Sequence, residues 1–305
     1  MRIAITGSSG LLGSALVASL RSLGHEIVPI VRRTAHSGEI KWDPQHGTIN
    51  KDELNGLDTV VHLAGAGVGD HRWSASYKDA IRSSRVKGTE TLSNALAVIS
   101  NPPAVMLSAS AVGYYGIRGD EELTEASEPG TGFLADVCAR WEAAAVPADM
   151  AGVRVVPFRM GVVLSSAGGA LKKQLIPFKI GLGARLGTGT QQFSWITRRD
   201  AVAAICFLIE HHEMAGPVNV TAPHPVSNRE FTQALGRALH RPAGLAVPAA
   251  VLRAVVGTEK ATEFLLSSQR AIPRRLLEAG FKFADPELPG ALTTALSDRA
   301  LVPDS

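Results

Sequence analysis

Residues 2–13 read RIAITGSSGLLG, a short apolar run, a glycine-rich turn, and the first residues of a leucine-spaced segment. The apolar run predicts a β-strand over residues 2–6. Leu12, Leu16, Leu20 and Leu23 then recur on one face, which predicts a helix over residues 10–23 with Gly24 as its stop. Residues 27–31 are strand-like again, so the opening thirty or so residues form a βαβ unit. Each glycine has a task at such a turn. Gly7 permits the tight bend, Gly10 lets a pyrophosphate approach the backbone, and Gly13 lets helix and strand pack closely. Ser9 and Leu11 lie in the same loop, whose amides and helix-end charge suit an anion.

The alternation continues. Strands are expected at 59–63, 104–108 and 153–158, and helices at 76–99 and 131–145. Near-continuous apolar strands alternating with helices predict an α/β fold, a Rossmann doubly wound parallel sheet. Beyond Arg159 glycine becomes frequent, and a smaller glycine-rich substrate lobe is expected, mainly at 161–200 and 217–240, with one helix at 169–180. Ser227 and Glu230 fit a capping box opening a helix over 229–239. Residues 1–240 are thus read as a nucleotide-binding domain with the lobe interleaved, and 247–296 as a C-terminal helical segment resembling an appendage.

The end of the second strand selects the nucleotide. A site for NAD places an acid there for the ribose 2′-hydroxyl. Here Arg32 and Arg33 follow Val31. A guanidinium pairs a 2′-phosphate where a carboxylate would repel it, so the expected cofactor is NADP(H).

Composition narrows the function class. The chain has 305 residues, 45% hydrophobic and 19% charged, with a formal net charge of +3. Its basic residues are scattered as pairs without interleaved aromatics, so no nucleic-acid partner is expected. Two cysteines, Cys138 and Cys206, have no metal spacing, so no metal site is expected and the thiols read as reduced. The start of the chain has no leader pattern, and no apolar run is long enough to span a bilayer. A cytoplasmic protein with no membrane association is expected.

The segments TGSSGLLG (6–13), LAGAG (63–67) and LSASA (107–111) resemble the extended short-chain dehydrogenase/reductase superfamily. A narrower resemblance covers nearly the whole chain. It rests on residues 73–89 with Ser84-Arg85, the Trp141-Glu142 pair, RMGVVLSSAGGAL (159–171), LGTGTQQFSWI (186–196) and IPRRLLEAGFKF (272–283). These resemble the atypical epimerase family of NAD-dependent epimerase/dehydratase-like and sugar-nucleotide epimerase-like proteins, with its C-terminal domain of unknown function. The resemblance implies cofactor contacts from Leu63, Ala64, Gly65 and Arg85, with Met160 near the nicotinamide.

The superfamily's redox members use a Tyr with a Lys four residues later, the ammonium lowering the phenol's pKa. Aligned on Trp141-Glu142, this chain has Leu134 and Cys138 there instead. Ser110 matches the superfamily's serine, and Ser110 with Tyr115 are the residues left to carry catalysis. Arg198 and Arg199 are candidates to meet an anionic substrate, with Asp200 as cap of the next helix. Two functions follow as expectations. One is an NADP(H)-dependent oxidoreductase or epimerase-like enzyme, acting on a small molecule such as a nucleotide sugar or other anionic carbonyl compound. The other is an NADP(H)-binding redox sensor or scaffold without turnover. A homodimer is compatible with either.

Overall fold

The computed structural model describes residues 1–298. The chain opens with β1 (Arg2–Thr6), α1 (Leu11–Ser22) and β2 (Glu26–Val31), as the leucine spacing predicts. Next come β3 (Ile40–Asp43) and β4 (Thr48–Ile49), which the sequence reading did not anticipate, then β5 (Thr59–His62) and α2 (Ala75–Leu96). The Ser74 side chain accepts the Tyr77 amide at 3.1 Å and so sets the start of α2. After β6 (Val105–Ala111) and the two-residue β7 (Glu122–Leu123) lie α3 (Phe133–Ala143), α4 (Val146–Met150) and β8 (Arg154–Met160).

These strands build an eight-stranded sheet in the order β13-β8-β6-β5-β1-β2-β3-β4, where β13 is Val218–Val220. Within this sheet only the β3–β4 pair is antiparallel. The chain runs outward from β1 through β2 to β3, then returns to β5 and proceeds the other way, so the order reverses beside β1. A doubly wound sheet has its binding crevice outside the carboxyl ends of the strands at that reversal.

Side chains alternate across the sheet. Ile3 and Ile5 of β1 face Leu16 and Leu20 of α1 and Ile205 and Leu208 of a later helix. Ala4 faces the other way, into a core with Leu92 and Leu96 of α2 and Ala148 of α4. Each such leucine contributes roughly 1.5–3 kcal/mol by burial.

The smaller lobe contains β9 (Val162–Leu164), α5 (Gly169–Lys179), β10 (Ala184–Leu186), β11 (Gln192–Phe193) and β12 (Trp195–Thr197), and α6 (Arg198–Glu210) then returns to pack on the large sheet. Beyond β13 come β14 (Val226–Ser227) and α7 (Asn228–Ala238), which opens with the expected capping box from Ser227 and Glu230. The remaining elements are β15 (Leu245–Val247), α8 (Ala249–Val256), α9 (Thr258–Lys260), a π-helical turn (Ala261–Leu265), β16 (Arg270–Ala271), α10 (Arg274–Glu278) and α11 (Leu288–Ser297).

The C-terminal segment is not an appendage. Leu288, Ala291, Leu292 and Ala295 of α11 share a buried cluster with Trp195 and Phe231 of the lobe, and Leu276 and Phe281 join the core of the large sheet. β16 pairs in parallel with β7. Among the described residues no helix is long and apolar enough to cross a membrane.

Candidate functional site

The crevice over β1 and β5 is built by close approach of two backbones. Gly7 has φ +68°, and a Cβ there would stand 3.1 Å from the backbone of Leu63 and Ala64. A Cβ on Gly13 would lie 2.1 Å from the Gly7 carbonyl oxygen, so only glycine fits the first turn of α1. Gly10 is the N-cap of α1 and supplies no side-chain acceptor. The first amides of the helix therefore have no side-chain acceptor, the arrangement an anion-binding helix start uses. Ser9 is exposed on the same loop, and Leu11 begins the helix.

Thr6 ties the two strand ends together. Its Oγ1 accepts the amides of Leu63 (3.0 Å) and Ala64 (3.2 Å) and lies 2.7 Å from His62 Nδ1. An oxygen accepting two amides gives its own proton to the ring, which leaves His62 as the neutral Nε2–H tautomer. Burial, with a further contribution from Arg85, pushes the His62 pKa down to about 3.

Arg32 and Arg33 separate at the end of β2. Arg33 forms a bidentate pair with Glu39, both contacts at 2.6 Å. The Arg33 hydrogen bond holds the Glu39 carboxyl down at about 2. Arg32 is exposed and has no hydrogen-bond or ion-pair partner among the described residues. Of the two, it is the guanidinium open to a ligand.

Arg85 projects from α2 beneath the loop after β5. Its Nη1 donates to the Ala66 carbonyl at 2.9 Å, and its guanidinium lies over the Trp141 ring, 5.0 Å from the centroid. A Cβ on Gly65 would be 3.4 Å from it. Burial lowers its pKa from the usual arginine value, and among the described residues no carboxylate pairs with it. Ser84 accepts the Ala66 amide at 3.1 Å and fixes the same loop. Met160 ends β8, between Ala111 of β6 and Val220 of β13.

The residues expected to carry catalysis sit differently. Tyr115 is fully buried (0% exposed) and donates to Asn219 Oδ1 at 2.6 Å. Burial pushes its pKa up to about 12. A phenol so placed is no base near neutral pH, and the expectation that Tyr115 moves a substrate proton finds no support in this geometry. Ser110 donates to Glu142 Oε1 at 2.6 Å, and Glu142 in turn grips Arg159 bidentately at 2.9 Å. Arg159 also donates to the Tyr115 oxygen at 3.0 Å. Ser110 and Tyr115 thus belong to one buried chain, Ser110–Glu142–Arg159–Tyr115–Asn219, that staples β6, β8 and β13. Tyr114, half-buried, stacks on the Arg159 guanidinium at 3.5 Å.

Leu134 and Cys138 face Gly113, where a Cβ would lie 3.6 Å from Leu134 Cβ and 3.7 Å from the Cys138 sulfur. Burial pushes the Cys138 thiol up to about 12, so it is not a reactive thiolate.

Two further expectations are corrected. Arg198 pairs with Asp298, and Arg199 with Asp285 at 2.9 Å, so acids of the C-terminal segment already occupy both. Thr197, not Asp200, caps α6; Asp200 is buried and accepts the amides of Ala284 and Asp285. Among the described residues no group of His, Cys, Asp and Glu could hold a metal ion.

Sequence reasoning missed the Thr6 hydroxyl, the stacking of Arg85 on Trp141, and an acid from the C-terminal segment. Glu263 Oε2 accepts the Leu134 amide at 3.0 Å. No spacing rule links residues so far apart.

Comparison with known proteins places this geometry. The family described as NAD dependent epimerase/dehydratase family matches residues 3–221, and a domain of unknown function matches residues 247–295. An epimerase family protein of Mycobacterium tuberculosis is 49% identical over 282 residues, 92% of this chain and 93% of that protein. The crystal structure of the human epimerase family protein SDR39U1 with NADPH superposes with a TM-score of 0.88 at 34% identity, covering 97% of this chain and 99% of that one. A nucleoside-diphosphate sugar epimerase from Corynebacterium glutamicum superposes with a TM-score of 0.81 at 38% identity, covering 99% of this chain and 59% of that one.

Proposed function

Because the chain belongs to the NAD dependent epimerase/dehydratase family, we propose that it binds NADP(H) in the crevice over β1 and β5 and acts on a small carbonyl or hydroxyl compound. The observation that carries this is the pairing of an uncapped α1 N-terminus, cradled by Gly7 and Gly13, with the unpartnered Arg32 at the end of β2. The residues present fit the cofactor. Amides at the start of α1, with Gly7, Ser9, Gly10, Leu11 and Gly13 around them, would hold the diphosphate. Arg32 would hold the 2′-phosphate, and Arg33 with Glu39 would brace the loop behind it. Leu63, Ala64 and Gly65 would line the middle of the cofactor, with Arg85 supplying an unpaired charge beneath them and Met160 closing the nicotinamide end. When bound, the nicotinamide supplies hydride transfer.

The substrate would lie against the glycine-rich lobe. A nucleotide sugar or another anionic carbonyl compound remains the class proposed. The second reading, an NADP(H)-binding sensor or scaffold, is favoured by the Leu134 and Cys138 replacements and by the buried Tyr115. NADPH oxidation against a panel of carbonyl compounds separates the two.

Substitution of Arg32 tests the cofactor assignment. A charge-assisted phosphate contact is worth about 1.5–3 kcal/mol, so Arg32→Ala should weaken NADPH binding by roughly 10- to 100-fold and leave NADH binding near its parent value. Equal losses for both nucleotides in a fluorescence titration would remove Arg32 from the 2′-phosphate site.

A further inference from the structure

The site lacks the superfamily's tyrosine, and the buried Tyr115 does not replace it. Leu134 fills that tyrosine's position, and one carboxylate meets its backbone amide. Glu263 lies on the π-helical turn Ala261–Leu265, a distortion that recurs at functional sites. Its Oε2 is fixed by the Leu134 amide at 3.0 Å, at the start of α3, on the residue that replaces the tyrosine. The carboxylate rests on Gly132, whose φ of +108° favours glycine and where a Cβ would be 3.0 Å from both oxygens. Oε1 has no partner among the described residues, and no lysine or arginine pairs with Glu263 there. One oxygen is held and the other is free, the arrangement a proton acceptor needs.

The same segment grips the loops around the crevice. Lys260 is buried and donates to His71 O at 2.7 Å and Gly69 O at 3.3 Å, on the loop that leaves β5. Glu259 pairs with Lys78 of α2 at 2.5 Å. The Phe264 ring lies 3.3 Å from a Cβ position on Gly69. On the other side Leu134 packs on Gly113, in the turn that leaves β6 just after Ser110. The segment that carries the carboxylate therefore touches the loop after β5 directly and the turn after β6 through Leu134.

We propose that Glu263 is the proton-transfer group of this site, delivered by the C-terminal segment to the helix end where the tyrosine is missing. This rests on the cofactor reading above. An alcohol substrate gives its hydroxyl proton to Glu263 Oε1 and its carbinol hydride to the oxidised cofactor, leaving a carbonyl; the proton then passes to solvent. Carbonyl reduction runs the same steps backward, with NADPH as reductant and a proton from the Glu263 carboxyl. The C-terminal domain thereby acquires a chemical role as well as a packing one.

Two measurements on the full chain test this. In the first, carboxyl groups are labelled with a water-soluble carbodiimide and glycinamide and read by mass spectrometry. Saturating NADP⁺ should slow labelling of Glu263 at least about tenfold, as expected for a site nearly all occupied. Adenosine 2′,5′-bisphosphate, which lacks the nicotinamide half, should not slow it. Equal protection by both, or by neither, overturns the placement. In the second, Glu263→Gln keeps an acceptor for the Leu134 amide and so keeps the fold, checked by thermal melting and by an unchanged NADPH affinity. Its single-turnover NADPH oxidation by phenanthrenequinone should fall by roughly 10²–10⁴. A parent protein that binds NADPH yet oxidises it no faster than Glu263→Gln overturns the chemical role. Loss of NADPH binding by the parent itself would instead defeat the cofactor reading, so the two failures are distinct.

Discussion

Gly13 shows how one missing methyl group sets the site. A Cβ there would collide with the Gly7 carbonyl at 2.1 Å, and neither backbone can yield without opening the turn. Gly13→Ala should cost roughly 2–4 kcal/mol of stability by overpacking and weaken NADPH binding as well. Urea unfolding checks the first effect, and an unchanged midpoint would refute it. His62 makes a second prediction. Its pKa lies near 3 in the folded protein and near the ordinary ~6.5 in the unfolded chain. Between those values the unfolded chain takes up a proton that the folded one refuses. Stability should then fall by about 1.4 kcal/mol for each pH unit below 6.5 from this residue alone. Denaturation at pH 7, 6 and 5 should show a shallower slope for His62→Gln than for the parent, and identical slopes would contradict the assignment. The turn at Gly7 and the close packing at Gly13 were legible because a strand-to-helix turn constrains them locally. Tyr115 was not, because its burial depends on Arg159 and Asn219, which neighbour it only once β8 and β13 are assembled.

Elements were legible in proportion to their periodicity. The leucines of α1 placed that helix within a residue or so, and the Ser227–Glu230 capping box marked α7 correctly. Removing the box tests its worth. Ser227→Ala should cost about 1 kcal/mol, seen as a lower urea midpoint with unchanged slope, and no change would mean that packing of Phe231 and Leu235 alone sets the helix start. β3 escaped notice because its IKWD sequence is too short to show alternation, although Ile40 and Trp42 both point into the core. The start of α6 was misplaced for a different reason. Asp200 is a common capping residue, but its carboxylate is taken by two amides of the C-terminal segment, and Thr197 caps instead.

At the scale of the whole molecule, alternating apolar strands and helices carried the doubly wound order, since parallel strands leave few topologies open. The embrace of the C-terminal segment was hidden. Its contacts join residues a hundred or more positions apart, among them Glu263 to Leu134 and Arg198 to Asp298. No local pattern encodes such pairs; they follow from the shared cluster around Trp195 and α11. The central claim is that one end of this sheet is shaped for a phosphorylated dinucleotide. Calorimetric titration of the purified protein with NADPH and with NADH tests it directly. The account predicts heat and saturation with NADPH and at least tenfold weaker binding of NADH, the difference that one phosphate–guanidinium contact of about 1.4 kcal/mol or more supplies. Tighter binding of NADH, or no heat with either nucleotide, would contradict it.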